Sequence, residues 1–359
     1  MLVLAMMGAC APPAPDTVLL NGRVFTANPA QPWAEAVGIR GDRVIAVGTT
    51  AEVSALASSG TLTRDLGGRV VIPGFNDAHV PDPGSDAAAL ASFAGAALAS
   101  GVTSMHWFVG ERTVKEAARA VLDADLPIRI RMLRMPRPGP DGTTIDSRPH
   151  LPPQPGFRLD IRGMGFRLGA ADEARIRQAV GWAYGTEDLL AIEPADEQAL
   201  SIYVQAIEQE GLPEVWARKR PRVEQAGMGA VTLAPRLAGS GMVVAQRPGG
   251  TVPLASLVKQ GVTLALGSGQ GTRSFDVLAW ATSPERGVEA LTMEQAVVAF
   301  TRGSAYAEFT EREKGHLTVG ALADLAVLSA DPFTAAHEEL GGLRSVLTII
   351  GGRVVHDVR

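Results

Sequence analysis

The sequence predicts an α/β protein, a distorted (β/α)8 TIM barrel joined to a small β-sandwich domain built from both chain termini. Two observations carry this prediction. Through the middle of the 359 residues, short apolar runs alternate with amphipathic helical segments, the pattern of a parallel sheet with crossover helices. Both ends instead hold short strand-like runs joined by turn residues, and neither end has enough apolar surface to bury its own face. With 46% hydrophobic and 20% charged residues, the composition is that of a globular chain long enough for one barrel plus a smaller domain.

Residues 1–16 read as a lipoprotein-like leader and tether. The apolar run before Gly8-Ala9-Cys10 and the following Ala11-Pro12-Pro13-Ala14-Pro15 resemble a bacterial lipoprotein signal peptide, with Cys10 as the lipidated residue. The run is too short to span a bilayer, so the expectation is a lipid-anchored or exported protein on the periplasmic side of a bacterial cell envelope, held at the membrane surface. No Lys or Arg precedes the run and Met7 stands where Leu would be usual; a chain whose leader is not a signal would be cytoplasmic. As the one cysteine in the chain, Cys10 cannot form an internal disulfide.

Residues 17–70 and 315–359 supply the composite sandwich. Runs at 18–20, 23–26, 36–39 and 43–47 are strands, with Arg40-Gly41-Asp42 as a hairpin turn; 323–328 and 347–355 have the same texture, with Gly351-Gly352 turning one strand into the next. Residues 71–314 supply the barrel. Its strands are expected at 71–75, 102–106, 128–132, 159–164, 189–192, 222–224, 242–245 and 262–266, and helices at 86–100, 113–125, 171–184 and 196–210. Residues 137–157 are rich in Pro and Gly without a helical period, and read as a loop after the third strand. The net charge of −5 leaves no basic face for nucleic acid, and Arg218-Lys219-Arg220 before Pro221 reads as a solvated helix end.

The chemistry-bearing motif is Pro73-Gly74-Phe75-Asn76-Asp77-Ala78-His79-Val80-Pro81. A His-x-His pair at a strand end puts two imidazoles on one side for a metal; here Pro81 takes the second place. This segment resembles the amidohydrolase superfamily, and most closely its branch typified by N-substituted formamide deformylase (amidohydrolase family 3). The likeness extends through Val18-Leu19-Leu20-Asn21-Gly22-Arg23-Val24-Phe25-Thr26, Asp65-Leu66-Gly67-Gly68-Arg69, Gly320-Ala321-Leu322-Ala323-Asp324-Leu325 and Gly351-Gly352-Arg353-Val354. The resemblance implies hydrolysis of non-peptide carbon-nitrogen bonds by metal-activated water, with a strand-end aspartate moving the proton.

Carried over position by position, the implied site is mostly replaced. His79 matches the first histidine and Pro81 the second. Gly165 stands where the family's bridging lysine would be, Ile192 and Gln225 where further histidines would be, and Gly269 where the catalytic aspartate would be. The inherited metal site is thus expected to be lost, with no cofactor and a degenerate, pseudoenzyme character, leaving a barrel whose mouth binds a small ligand or a partner protein. The alternative is an active amide hydrolase with a rebuilt Zn or Mn site made by His79, His106, Glu193 and Glu224. Against that site stands the plainer reading, in which His106 is a satisfied strand-end histidine and both glutamates are solvated or paired with Arg222. Ser268, in Gly267-Ser268-Gly269-Gln270-Gly271, does not meet a nucleophile-elbow pattern, and Asp77 reads as structural. His316, His337 and His356 fall in the sandwich or its links.

Overall fold

The structure, a computed structural model, describes residues 14–110, 114–135 and 159–358; Cys10, His150 and the loop expected at 137–157 lie outside these residues. Eight parallel strands pair in sequence order: β1 (Phe75–Pro81), β2 (Val102–Val109), β3 (Arg129–Arg134), β4 (Leu159–Leu168), β5 (Leu190–Pro194), β6 (Arg222–Glu224), β7 (Val243–Gln246) and β8 (Thr263–Leu266). The helices Ala87–Ala99, Glu173–Gly185 and Glu197–Glu210 fall where their apolar periodicity predicts, and Asp86 and Asp196 cap the first and last through their side chains. Among the described residues, no helix is long and apolar enough to cross a membrane.

One strand differs from expectation. The run 71–75 is split at Gly74: Val70–Pro73 pairs with Leu325–Leu328 and Arg23–Phe25 in a terminal sheet, and the barrel begins only at Phe75. The cause is local, since a Cβ at Gly74 would lie 2.2 Å from Thr103 as the chain passes from one sheet to the other.

The chain ends form two sheets. The four-stranded sheet runs Arg43–Gly48, Ala36–Arg40, Thr17–Leu20, Leu62–Asp65; the six-stranded sheet runs Arg353–Asp357, Ser345–Ile350, Leu325–Leu328, Val70–Pro73, Arg23–Phe25, Trp33–Ala34. Leu19, Val37, Ile39, Val71, Leu325 and Leu347 belong to one buried cluster that joins the two sheets. Gly351 and Gly352 have φ of 55° and 72°, the paired left-handed conformations of a two-residue hairpin turn. A Cβ on Gly352 would lie 1.9 Å from the Gly41 carbonyl, so the two predicted turns abut and one of them must be bare. The predicted basic helix end is only partly solvated: Arg220 caps Pro213–Lys219 at φ 50°, pairs with Glu311 at 2.8 Å and lies over the Tyr306 ring.

No ladder joins β8 to β1, and the seam is closed by side-chain chemistry. Buried Asp77 accepts from the backbone N–H groups of Ser268 at 2.9 Å and His79 at 3.2 Å, and from the Ser268 hydroxyl. Gly269 N–H adds a bond of 3.0 Å to the His79 carbonyl. Gly267 has room only for hydrogen, because a Cβ there would lie 2.6 Å from His79 N. Ser268 is thereby a seam residue, and its oxygen also accepts from the N–H groups of Gln270 and Gly271.

Burial raises the Asp77 carboxyl from 3.8 to about 6, against the lowering effect of the Ser268 and His79 hydrogen bonds. On acidification the folded chain therefore takes up this proton before the unfolded chain, so the cost of the buried charge is full above pH about 6 and fades toward 3.8. Removing the acceptors with Asp77→Ala should cost about 2–4 kcal/mol in urea unfolding at pH 7. Asp77→Asn, which keeps one acceptor, should cost less, and its stability relative to wild type should improve as pH rises through that window. Equal losses for both variants would show that the carboxamide and carboxylate acceptors do not hold the seam.

Candidate functional site at the barrel mouth

Residues i and i+2 of a strand share a face, so Arg222 and Glu224 of β6 both point inward. Arg222 is 0% exposed. Its guanidinium donates to Glu224 Oε1 through Nε at 2.8 Å and Nη2 at 2.7 Å, to the Ala78 carbonyl on β1 at 2.8 Å, and through Nη1 to His106 Nδ1 on β2 at 2.7 Å. Glu224 Oε2 lies 2.9 Å from His79 Nδ1. The β1–β2 register shifts between Asp77 and Val80, an irregularity of the kind that re-aims a side chain at a barrel rim. His79 also stacks on Phe108, with centroids 4.1 Å apart.

Arg247, just past β7, completes the mouth. Its Nη1 lies 3.3 Å from His79 Nε2, and its Nη2 is 3.2 Å from each oxygen of Glu193 on β5. A guanidinium can only donate, so His79 Nε2 and His106 Nδ1 must be acceptors. This network assigns both rings as neutral, with His79 Nδ1–H donating to Glu224 and the His106 proton on Nε2.

Below the mouth the ionic chain continues. Glu308, on the segment following the last barrel strand, accepts from Asn76 Nδ2 at 2.7 Å, Arg131 Nε at 2.8 Å and Lys314 Nζ at 2.6 Å. Arg131 also pairs with Asp160 at 2.7 Å, and Arg129 with Asp324 at 2.6 Å. Burial alone would raise Glu224 and Glu308, but Arg222 and the His79 hydrogen bond hold the first below the ordinary carboxylate value, and Lys314 and Arg131 hold the second well below it. Burial drives His106 down to about 4 despite Glu308, whose Oε2 is 3.6 Å from a His106 Nε2 that makes no hydrogen bond.

The predicted ligands are therefore gathered into one region but not onto one point. His79 and Glu224 meet directly; Arg222 stands between them and His106, and Arg247 stands between His79 and Glu193. A divalent ion would need imidazole lone pairs that guanidinium protons now occupy, in a field already cationic. Among the described residues, no three or more His, Cys, Asp or Glu side chains are grouped so as to hold a metal. The residues present do not fit the implied metal.

The positions that the resemblance aligns with family ligands are occupied in distinct ways. A Cβ on Gly165 would lie 2.8 Å from Met135 Sδ and 2.9 Å from Phe108, so any side chain there would have to displace both. Gln225, at φ 53°, accepts from Gln246 Nε2 at 2.7 Å and Arg247 N–H at 2.9 Å. Gly269 abuts the Arg247 stem, where a Cβ would be 3.1 Å from Cδ. Pro81 is exposed at the end of β1. Ile192 departs from the sequence expectation: it packs in the cluster shared with the helices, whereas its neighbours Ala191 and Glu193 take the inward side. The sequence reading weighed Arg222 only as a glutamate's partner and missed Arg247, Phe108, Glu308 and Lys314. The i, i+2 spacing of Arg222 and Glu224 was the one signal that could have exposed the inward pair. His316 bonds Thr318, and His356 bonds the Ser345 carbonyl, both away from the mouth.

Residues 189–356 match the amidohydrolase family. A segment of 82 residues is 33% identical to Protein LONG AFTER FAR-RED 3 of Arabidopsis thaliana, covering 22% of this chain and 14% of that protein. A segment of 64 residues is 38% identical to the N-substituted formamide deformylase of Arthrobacter pascens, covering 18% of this chain and 12% of that enzyme. The chain thus matches only a small part of these curated relatives' lengths. Among solved structures, a triazine hydrolase variant superposes with a TM-score of 0.74 at 18% identity, covering 95% of this chain and 94% of that one. N-isopropylammelide isopropylaminohydrolase from Burkholderia multivorans gives 0.70 at 17% identity, over 95% and 98% of the two chains. A zinc-bound adenosine deaminase from Xanthomonas campestris gives 0.70 at 18% identity, over 96% and 94%. The fold is that of these amidohydrolase-like barrels.

The neutral His106 makes stability pH-dependent. Its folded value of about 4 lies below the ordinary 6.5, so the unfolded chain binds this proton first. Its contribution is complete above pH 6.5 and is lost as pH falls toward about 4. Its titration alone removes up to about 3 kcal/mol across that window while protonation of Asp77 acts in the opposite sense below pH about 6, so the test is a difference: in urea unfolding at half-unit pH steps, His106→Gln should lose less stability than wild type as pH falls from 6.5 toward 4. An unchanged slope in the variant would show that His106 is not the titrating group.

Proposed function

We propose that this chain is a degenerate amidohydrolase-like barrel that has lost the inherited metal-dependent hydrolysis and binds a small ligand through its altered mouth. The observation supporting this reading is the placement of guanidinium groups between the would-be ligands, Arg222 between His106 and Glu224 and Arg247 between His79 and Glu193. Hydrolysis in the family's manner needs a cation that lowers the pKa of a water and polarises a carbonyl, and a carboxylate that moves the proton. A guanidinium cannot bind hydroxide as a ligand, and Gly269 has no side chain to act as base. In this reading Cys10 tethers the barrel at the envelope membrane, and the leader is processing information separate from the fold.

The second reading is an active hydrolase of non-peptide carbon-nitrogen bonds, of the branch typified by formamide deformylase, with Zn or Mn on His79, His106, Glu193 and Glu224. The hydrolase activities of the similar proteins and the direct His79–Glu224 contact favour it. It requires both arginines to leave, and fully buried Arg222 has no solvent to receive it.

Elemental analysis of protein purified without chelator, before and after incubation with Zn or Mn and dialysis, separates the readings. The expected result is substoichiometric metal and no hydrolysis of N-substituted formamides or simple amides. Stoichiometric metal that is lost in His79→Ala, together with amide turnover, would establish the second reading.

A further inference from the structure

Among the described residues, the mouth carries more positive charge than its carboxylates neutralise. Arg167, on β4 beside Glu193 in the ladder, is 72% exposed in its side chain, and its pairing among the described residues is with Glu193 at 3.7 Å. Glu193 also serves Arg247 at 3.2 Å to each oxygen, so one carboxylate answers two guanidinium groups. Both separations exceed the about 2.7–2.9 Å of a well-formed charge-assisted pair. Neither of the other groups at hand cancels the excess: His79 is neutral, and Glu224 is already matched by Arg222.

Arg247 is meanwhile held in place. Its N–H donates to Gln225, its stem rests against Gly269, and its side chain remains 24% exposed. This is a preorganised, planar donor fork at the C-terminal face of a barrel, the end at which barrel proteins bind their ligands. Its present occupant is a carboxylate from the same chain, gripped across both oxygens but at long range.

We infer that the mouth binds a small organic carboxylate, taken across both oxygens by Arg247 and approached from the rim by Arg167, with Glu193 as the internal carboxylate that the ligand displaces. Arg167 and Arg247 set against Glu193 leave one unit of positive charge among these described residues, which suits a monoanion. This inference rests on reading the barrel as a non-hydrolytic binder and gives that reading a ligand class.

Calorimetric titration of the full chain at low ionic strength with two matched pairs, benzoate against benzamide and acetate against acetamide, tests it. Each carboxylate should bind at least about tenfold tighter than its amide. Glu193→Gln should tighten carboxylate binding about threefold or more by removing the competitor. Arg167→Gln, at an exposed position that the fold does not need, should weaken it by a similar factor, and Arg247→Gln should abolish it. Equal binding within each pair, no carboxylate binding, or weaker binding in Glu193→Gln would overturn the inference alone. Turnover of benzamide to benzoate and ammonia would instead overturn the non-hydrolytic reading on which it rests.

Discussion

Arg222 carries a full positive charge into the centre of a barrel with no solvent access, and its neighbours are those that such a charge requires. A buried ion without partners is strongly unfavourable, and a paired one is tolerated only when its remaining donors are also satisfied. Glu224 supplies the opposite charge, the Ala78 carbonyl takes one proton, and His106 takes another as a neutral acceptor. Room for the side chain comes from small residues: Ala78, Ala245, Ala265 and Ala307 share one apolar cluster, while Phe108, Leu133, Leu189 and Ala191 form another. The usual packed apolar layers of such a barrel are here divided by an ionic column.

The same logic runs in both directions along that column. Glu224 brings in His79, His79 brings in Arg247, and Arg247 brings in Glu193, which carries the chain of charge to the solvent. On the other side, Glu308 and Lys314 reach up from the segment that returns to the terminal sheets, with Arg131, Asp160 and Asn76 completing their pairing. Each buried cation has a carboxylate beside it. Taking away a single partner would therefore leave its counterpart charged and dry, so the column behaves as one unit and resists piecemeal change.

The fold was largely legible in the sequence because its signals are local. Period-two and helical apolar patterns, the Asp86 and Asp196 caps and the Gly41 and Gly351-Gly352 turns each act within a few residues. The misplaced first strand shows the limit, since Val71 to Phe75 is one apolar run in sequence and two strands in space, parted by the Thr103 contact at Gly74. The arrangement of the site was not legible in the sequence. That Pro81, and not a second histidine, follows His79 by two residues could be read directly. That an arginine after β7 would reach its Nε2, that Phe108 and Met135 would close over Gly165, and that Ile192 would face the helices all depend on contacts between distant strands. The plainer sequence reading left both glutamates solvated or paired with Arg222; Glu224 pairs with Arg222 but Glu193 with Arg247, and His106 is bonded by Arg222 at Nδ1 and not at Nε2.

The central claim is that guanidinium protons hold the imidazole lone pairs a metal would need. Histidine side-chain nitrogen resonances of uniformly labelled protein, recorded at pH 7 with and without excess zinc, test it most directly. The account predicts neutral rings for His79 and His106, with the His79 proton on Nδ1 and the His106 proton on Nε2, and nitrogen shifts that zinc leaves unchanged. A zinc-dependent shift at His79 Nε2 or His106 Nδ1 would contradict it.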